Sequence, residues 1–176
     1  MEIVNFQEEI EEALAAIPAF GPGAKGITIL RDTESISSLL SITTTKKDTV
    51  TPCWGAVADP SAAEGFTLVM AKDGKAIGQM TVLLEHSPKW THPILETVFV
   101  DRHYRGRGVA RQLADAAIEI IEQAVSSANA KNPGVCEYFD PFFSGETNEG
   151  GEAVMALMSD RMRSVLTGLL ESPEPT

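Results

Sequence analysis

The run Val98-Phe99-Val100-Asp101-Arg102-His103-Tyr104-Arg105-Gly106-Arg107-Gly108-Val109-Ala110-Arg111 is where this sequence can do chemistry. An apolar strand signal ends at Asp101, a glycine- and arginine-rich turn follows, and a helical pattern begins near Gly108. The first amides of a helix lack intrahelical acceptors, and the helix dipole adds positive potential, so such a junction attracts phosphate. Glycines at 106 and 108 let a phosphate approach the backbone with no Cβ in the way. Arg105, Arg107 and Arg111 add positive charge to an otherwise acidic chain. The expected ligand carries a diphosphate. A dinucleotide fingerprint would need Gly at position 111, where Arg stands, and no Gly-Lys-Ser/Thr occurs, so the P-loop is excluded.

Other reactive residue types carry weaker patterns. His86, His92 and His103 are scattered, with no His-Glu-x-x-His or Cys/His cluster, and read as solvated or loop residues rather than metal ligands. Phe142-Phe143-Ser144-Gly145 lacks the Gly-x-Ser-x-Gly pattern, which argues against a hydrolase serine. Cys136 has no base near it in sequence and reads as a small core residue. Trp90 and Phe142-Phe143 either line an acceptor pocket or cover the core.

The elements that must position this turn follow from periodicity. Phe6, Ile10, Leu14 and Ile17 repeat at helical spacing over residues 6 to 17, with Glu8, Glu9, Glu11 and Glu12 in the early turns, where the dipole favours them. Residues 26 to 31 read as a strand. A second helix starts at Asp32 or Thr33 and carries Ile36, Leu39, Leu40 and Ile42; residues 43 to 53 read as loop. Strands are expected over 65 to 72, 76 to 85 and 94 to 101, the first two joined by the hairpin pair Asp73-Gly74. A long helix is expected over 108 to 128, with Val109, Leu113, Ala117, Ile120, Ile121 and Ala124 on one side, and Asn132-Pro133-Gly134 breaks it. Val135 to Phe139 reads as a short strand, 140 to 151 as a loop, 152 to 170 as a last helix weakened by Gly168, and 172 to 176 as a frayed tail. This order describes one α/β domain, a meander feeding a βαβ unit.

Composition bounds the function. In 176 residues, 14 Lys+Arg against 25 Asp+Glu leave a net charge of −11, which disfavours a general nucleic-acid binder because phosphate neutralisation needs a basic face. A hydrophobic content of 43% and a charged content of 22% are those of a globular chain. Two cysteines, Cys53 and Cys136, do not make a disulfide scaffold. The first residues do not resemble a signal peptide, and no apolar window is long enough for a membrane span. A reduced, cytoplasmic protein is the expectation.

The turn Arg105-Gly106-Arg107-Gly108-Val109-Ala110 resembles the signature Arg/Gln-x-x-Gly-x-Gly/Ala of the GCN5-related N-acetyltransferase (GNAT) superfamily, which opens a helix after a strand. Leu95 to Val100 is similar to the family's fourth strand, and Ile27 to Asp32 to its first strand and turn, so the likeness spans roughly residues 26 to 160. It implies an α/β (α+β) fold in which a mixed, mostly antiparallel central sheet is flanked by helices and its strands splay at the acyl-CoA site. The implied organisation is a helical extension over 1–25, an acyltransferase domain over 26–170 and a tail over 171–176.

The resemblance also implies acetyl-CoA, or another acyl-CoA, as donor and no metal. The pantetheine arm would pair with the backbone of Val98, Phe99 and Val100, and the amides from Gly106 through Arg107, Gly108, Val109 and Ala110 to Arg111 would hold the pyrophosphate beside Arg105. A primary amine would attack the thioester directly, with Glu96 as base, a buried carboxyl near an apolar pocket being well suited to the task. Many relatives place an acidic Tyr in the last helix seven residues after an Asn. Asn148 matches the Asn, but position 155 is Met and no Tyr follows Tyr138, so Tyr138, Ser159 or a water would have to donate the proton. The family's two final strands also lack room here, which leaves the acceptor side open or completed by the N-terminal helix, packed on a sheet edge, or by a second copy in a homodimer. Residues 162 to 167 are the alternative place for one such strand. The acidic balance points to a cationic acceptor: a polyamine, an aminoglycoside-like molecule, a protein lysine or an N-terminus. The competing reading is a CoA-binding or regulatory protein without catalysis.

Overall fold

The computed structural model describes residues 8–10, 12–13, 27–30, 64–73, 75–86, 90–145 and 149–171. The expected helix over 32 to 42, the loop to 53, Cys53, Asn148 and the tail from 172 lie outside the described residues. Four strands, β1 (Ile27–Leu30), β2 (Glu64–Lys72), β3 (Lys75–His86) and β4 (Thr91–Val100), form one antiparallel sheet in chain order. Strands β2 and β3 meet at Lys72↔Lys75, so Asp73 and Gly74 alone connect them. Asp73 takes φ 52°, the left-handed value a tight hairpin turn demands.

The sheet carries two long helices, α1 (Val109–Lys131) and α2 (Glu149–Glu171). The expected stripe of α1, from Val109 through Leu113, Ala117, Ile120 and Ile121 to Ala124, is buried throughout. It packs on Leu68, Met80, Val82 and Leu95, which are at most 0% exposed, in one continuous core. Burying each such side chain contributes about 1.5–3 kcal/mol. The other side of α1 meets α2, whose Met158, Met162 and Leu166 are buried. Helix α2 runs unbroken through residues 162 to 167 and past Gly168, which removes the alternative of a strand there. In the N-terminal segment, residues 8–10 and 12–13 are helical; Ile10 and Ala13 join the same core, and Glu9 and Glu12 pair with Lys131 at the end of α1. The described part of this segment thus contacts the C-terminal end of α1.

One expected strand is corrected. Val135–Tyr138 is a 3₁₀ turn, although its residues favour a strand. Gly134 enters it at φ 89°, and Asn129 Oδ1 accepts from the amides of Gly134 and Cys136, so the chain curls before it can extend. Extension begins at Phe139, the last residue of the expected strand, and continues into what read as a loop: Phe139 bridges Thr91 and Ser144 bridges Ile94, both parallel to β4.

Candidate acyl-CoA site

The extended segment covers only the first half of β4. Asp140 N–H donates to Thr91 O (2.8 Å), Ser144 N–H to Pro93 O (3.2 Å) and Leu95 N–H to Ser144 O (2.8 Å). Close contact ends at Gly145, where a Cβ would sit 2.3 Å from Leu95 O, so no larger residue fits. The next residue of β4, Glu96, is a β-bulge: Leu95 pairs with Val82 and Thr97 with Thr81, leaving Glu96 as the extra residue.

The bulge reverses which backbone groups face outward. Before it, residues 91, 93 and 95 point to the 139–145 segment. After it, Asp101 N–H donates to Ile77 O at 2.8 Å, so by alternation 97 and 99 face β3. The backbone groups of Val98 and Val100 then point to the open edge, and among the described residues no strand lies beside them. One of these groups is engaged: Val100 O accepts from Arg105 Nε at 3.0 Å.

The turn that follows is ordered from its first residue. Asp101 Oδ1 accepts from His103 N–H (2.8 Å) and caps the 3₁₀ turn Arg102–Tyr104. Gly106 and Gly108 take φ 73° and 79°, left-handed values that glycine adopts without steric cost. A Cβ on Gly106 would meet nothing within 4 Å, and one on Gly108 only Gln112 Nε2 at 3.9 Å, so backbone conformation rather than crowding selects glycine here. The first helical bond of α1 is Gln112 N–H to Gly108 O at 3.0 Å. The amides of Val109, Ala110 and Arg111 precede it and have no intrahelical acceptor. Gly108 offers no side-chain cap, and the first turn holds no acidic residue. Arg105, Arg107 and Arg111 are exposed. Lys72, which sequence reading missed, joins them: its ammonium and the Arg107 guanidinium each stand 5.6 Å from the Tyr104 ring.

The structure places the other candidates differently. Glu96 is exposed at the bulge, which corrects the expectation of a buried carboxyl. Tyr138 is 40% exposed in its 3₁₀ turn, beside the start of β4. Six residues of β4 lie between Thr91 and Val98, roughly 20 Å at the usual strand rise, so Tyr138 and the open edge are not brought together. Ser159 is buried, and its hydroxyl accepts from Phe143 N–H at 3.0 Å. Phe143 is itself core, whereas Phe142 and Trp90 are exposed. Cys136 is a free, buried thiol whose pKa burial pushes up, as suits a core residue.

A juxtaposition that no spacing signals lies just before the bulge. His92 Nδ1 stands 3.0 Å from Asp140 Oδ2, and His92 Nε2 stands 2.6 Å from Ser144 Oγ. Among the described residues no three His, Cys, Asp or Glu side chains form a metal-binding group. No described helix is long and apolar enough to cross a membrane.

Residues 35–139, more than half of the chain, match the acetyltransferase (GNAT) family. The chain belongs to that family. No curated protein matches the sequence. Among solved structures, this GNAT chain is similar to an aminoglycoside N-acetyltransferase, AAC(6')-Iy, in complex with CoA, at 18% identity over 75% of this chain and 88% of the other, with TM-score 0.41. It is similar to glucosamine-6-phosphate N-acetyltransferase from Arabidopsis thaliana at 13% identity over 75% and 89%, with TM-score 0.44. A third likeness is to ribosomal-protein-alanine N-acetyltransferase from Brucella melitensis biovar Abortus 2308, at 20% identity over 56% and 71%, with TM-score 0.40.

Proposed function

We propose that this GNAT chain transfers an acetyl group from acetyl-CoA to a primary amine by direct attack on the thioester. The observation that carries the reading is the continuity of an open strand edge at Val98 and Val100 with a turn whose amides 109 to 111 lack intrahelical acceptors amid Lys72, Arg105, Arg107 and Arg111. A pantetheine arm, which carries amide groups, pairs with such an edge as an added strand would, and a pyrophosphate fits the turn. In this arrangement the thioester reaches the point where the 139–145 segment and β4 part, next to the bulge. Glu96 stands there as the base that takes a proton from the incoming ammonium, directly or through a water. The neutral amine attacks the carbonyl, the C–S bond breaks, and the thiolate is protonated as it leaves. The acceptor class favoured by the chain's −11 charge is a cationic amine.

The test is thiol release from acetyl-CoA across a panel of polyamines, aminoglycosides, amino sugars and peptides. Amine-dependent release with a matching acetylated product supports the reading. A second reading, CoA binding without turnover, draws on the absence of Tyr from α2 and the distance of Tyr138 from the open edge. CoA binding with no turnover on any amine would favour it.

A further inference from the structure

The geometry points to a second reactive centre, an acyl-accepting serine formed by Ser144, His92 and Asp140. Asp140 accepts from His92 Nδ1 at 3.0 Å, and this pairing puts the ring proton on Nδ1. Nε2 is then left as the acceptor for the Ser144 hydroxyl 2.6 Å away. A nucleophile, a base within hydrogen-bond reach and an acid that orients the base are the parts of hydroxyl activation.

Each part is held. Asp140 Oδ1 also accepts from Phe142 N–H at 2.9 Å, which fixes the carboxylate. Trp90 meets the His92 ring edge-on, with centroids 5.4 Å apart, which fixes the imidazole plane. Ser144 is anchored on both sides of its peptide, through its N–H to Pro93 and its C=O to Leu95. The serine is exposed while His92 is only 16% exposed in its side chain, so the hydroxyl is open to reactants and the base is largely shielded.

The substrate class is a small activated acyl ester or thioester. Ser144 Oγ attacks the carbonyl carbon while His92 Nε2 takes the hydroxyl proton. The bond to the leaving oxygen or sulfur breaks, and His92 returns the proton to that atom, leaving an O-acylserine. Water then attacks the ester, again with His92 as base, releasing the carboxylic acid and restoring the hydroxyl. Nothing in this sequence requires CoA, so it stands apart from the amine transfer proposed above.

The test uses the whole chain with a fluorophosphonate probe and with p-nitrophenyl acetate, read by intact mass and peptide mapping. The expected results are one adduct on Ser144 and release of p-nitrophenol. Both rates should fall at least about 100-fold in His92→Gln and vanish in Ser144→Ala. Asp140→Asn should label slowly although its circular dichroism matches the parent. An unmodified Ser144 in the parent chain overturns the proposal, and so does equal labelling in folded His92→Gln. A purely structural clamp of β4 to the 139–145 segment would give one or the other of those results. Because neither probe contains CoA, failure here leaves the CoA titration unaffected, and failure of that titration leaves this test unaffected.

Discussion

The Arg105 guanidinium donates to the Val100 carbonyl at 3.0 Å, tying the arginine-glycine turn back to the strand edge that precedes it. The four residues between them thus form a closed corner that ties the start of the turn to β4. Arg105→Ala opens this corner and removes a positive charge. CoA should bind about tenfold more weakly, or about 1.4 kcal/mol, with the melting temperature little changed. Calorimetric titration of the two proteins checks this.

Glu96 is set apart from its neighbours by the bulge, which gives it no partner on β3. Glu96→Gln keeps the shape and removes the proton acceptor. Turnover should fall about 100-fold at neutral pH while CoA affinity stays within a factor of about two. Equal losses in turnover and CoA affinity would instead make Glu96 a structural residue of the strand.

Gly78 lets the start of α1 lie directly on the sheet. A Cβ at this position would stand 2.5 Å from Val109 Cγ1 and 3.2 Å from Leu113 Cδ1. Gly78→Ala should destabilise the fold by about 1–3 kcal/mol, seen as a lower urea midpoint with an unchanged slope. Since Val109 follows the glycine turn directly, CoA binding should weaken as well.

Lys131 clamps the N-terminal segment through Glu9, 2.8 Å away and buried. Burial raises the Glu9 pKa, but the bonds from Lys131 and Ser127 outweigh it and leave the net value below the usual carboxylate one. The bond to Glu9 leads the causes that raise Lys131. A lowered carboxylate pKa stabilises the fold above its ordinary value of 4.5 and loses that contribution as the pH falls through the folded value. The raised lysine contributes below its ordinary 10.5 and is lost as the pH climbs past its folded value. Lys131→Met should therefore lower the melting temperature at pH 7, and its gap to the parent should narrow below about pH 4. A gap unchanged by acid would show that the ion pair contributes nothing.

Local signals were legible where one residue type carries the physics. Asp73-Gly74 announced its hairpin, and the stripe from Val109 to Ala124 announced the buried side of α1. The glycine turn before α1 read correctly because positive φ at 106 and 108 is a backbone demand that only glycine meets easily. Val135–Tyr138 misread because strand propensity lost to Gly134 and to the Asn129 side chain, which reaches amides five and seven residues further on, a contact that composition hides. The bulge at Glu96 left no mark, since an extra residue in one strand needs no glycine. His92, Asp140 and Ser144 are 48 and 52 residues apart and meet only because the 139–145 segment runs parallel to β4. Lys72 reaches the turn through Tyr104 from the far side of the sheet's hairpin, again a tertiary fact.

The most direct measurement is calorimetric titration of the intact chain with CoA and acetyl-CoA, beside Gly108→Trp. A glycine turn that holds CoA predicts micromolar binding to the parent and its loss in Gly108→Trp; the left-handed φ of 79° at Gly108 costs the variant some stability, so the loss is read at a temperature where its circular dichroism matches the parent's. Absence of binding by the parent, or undiminished binding by a folded Gly108→Trp, would contradict it.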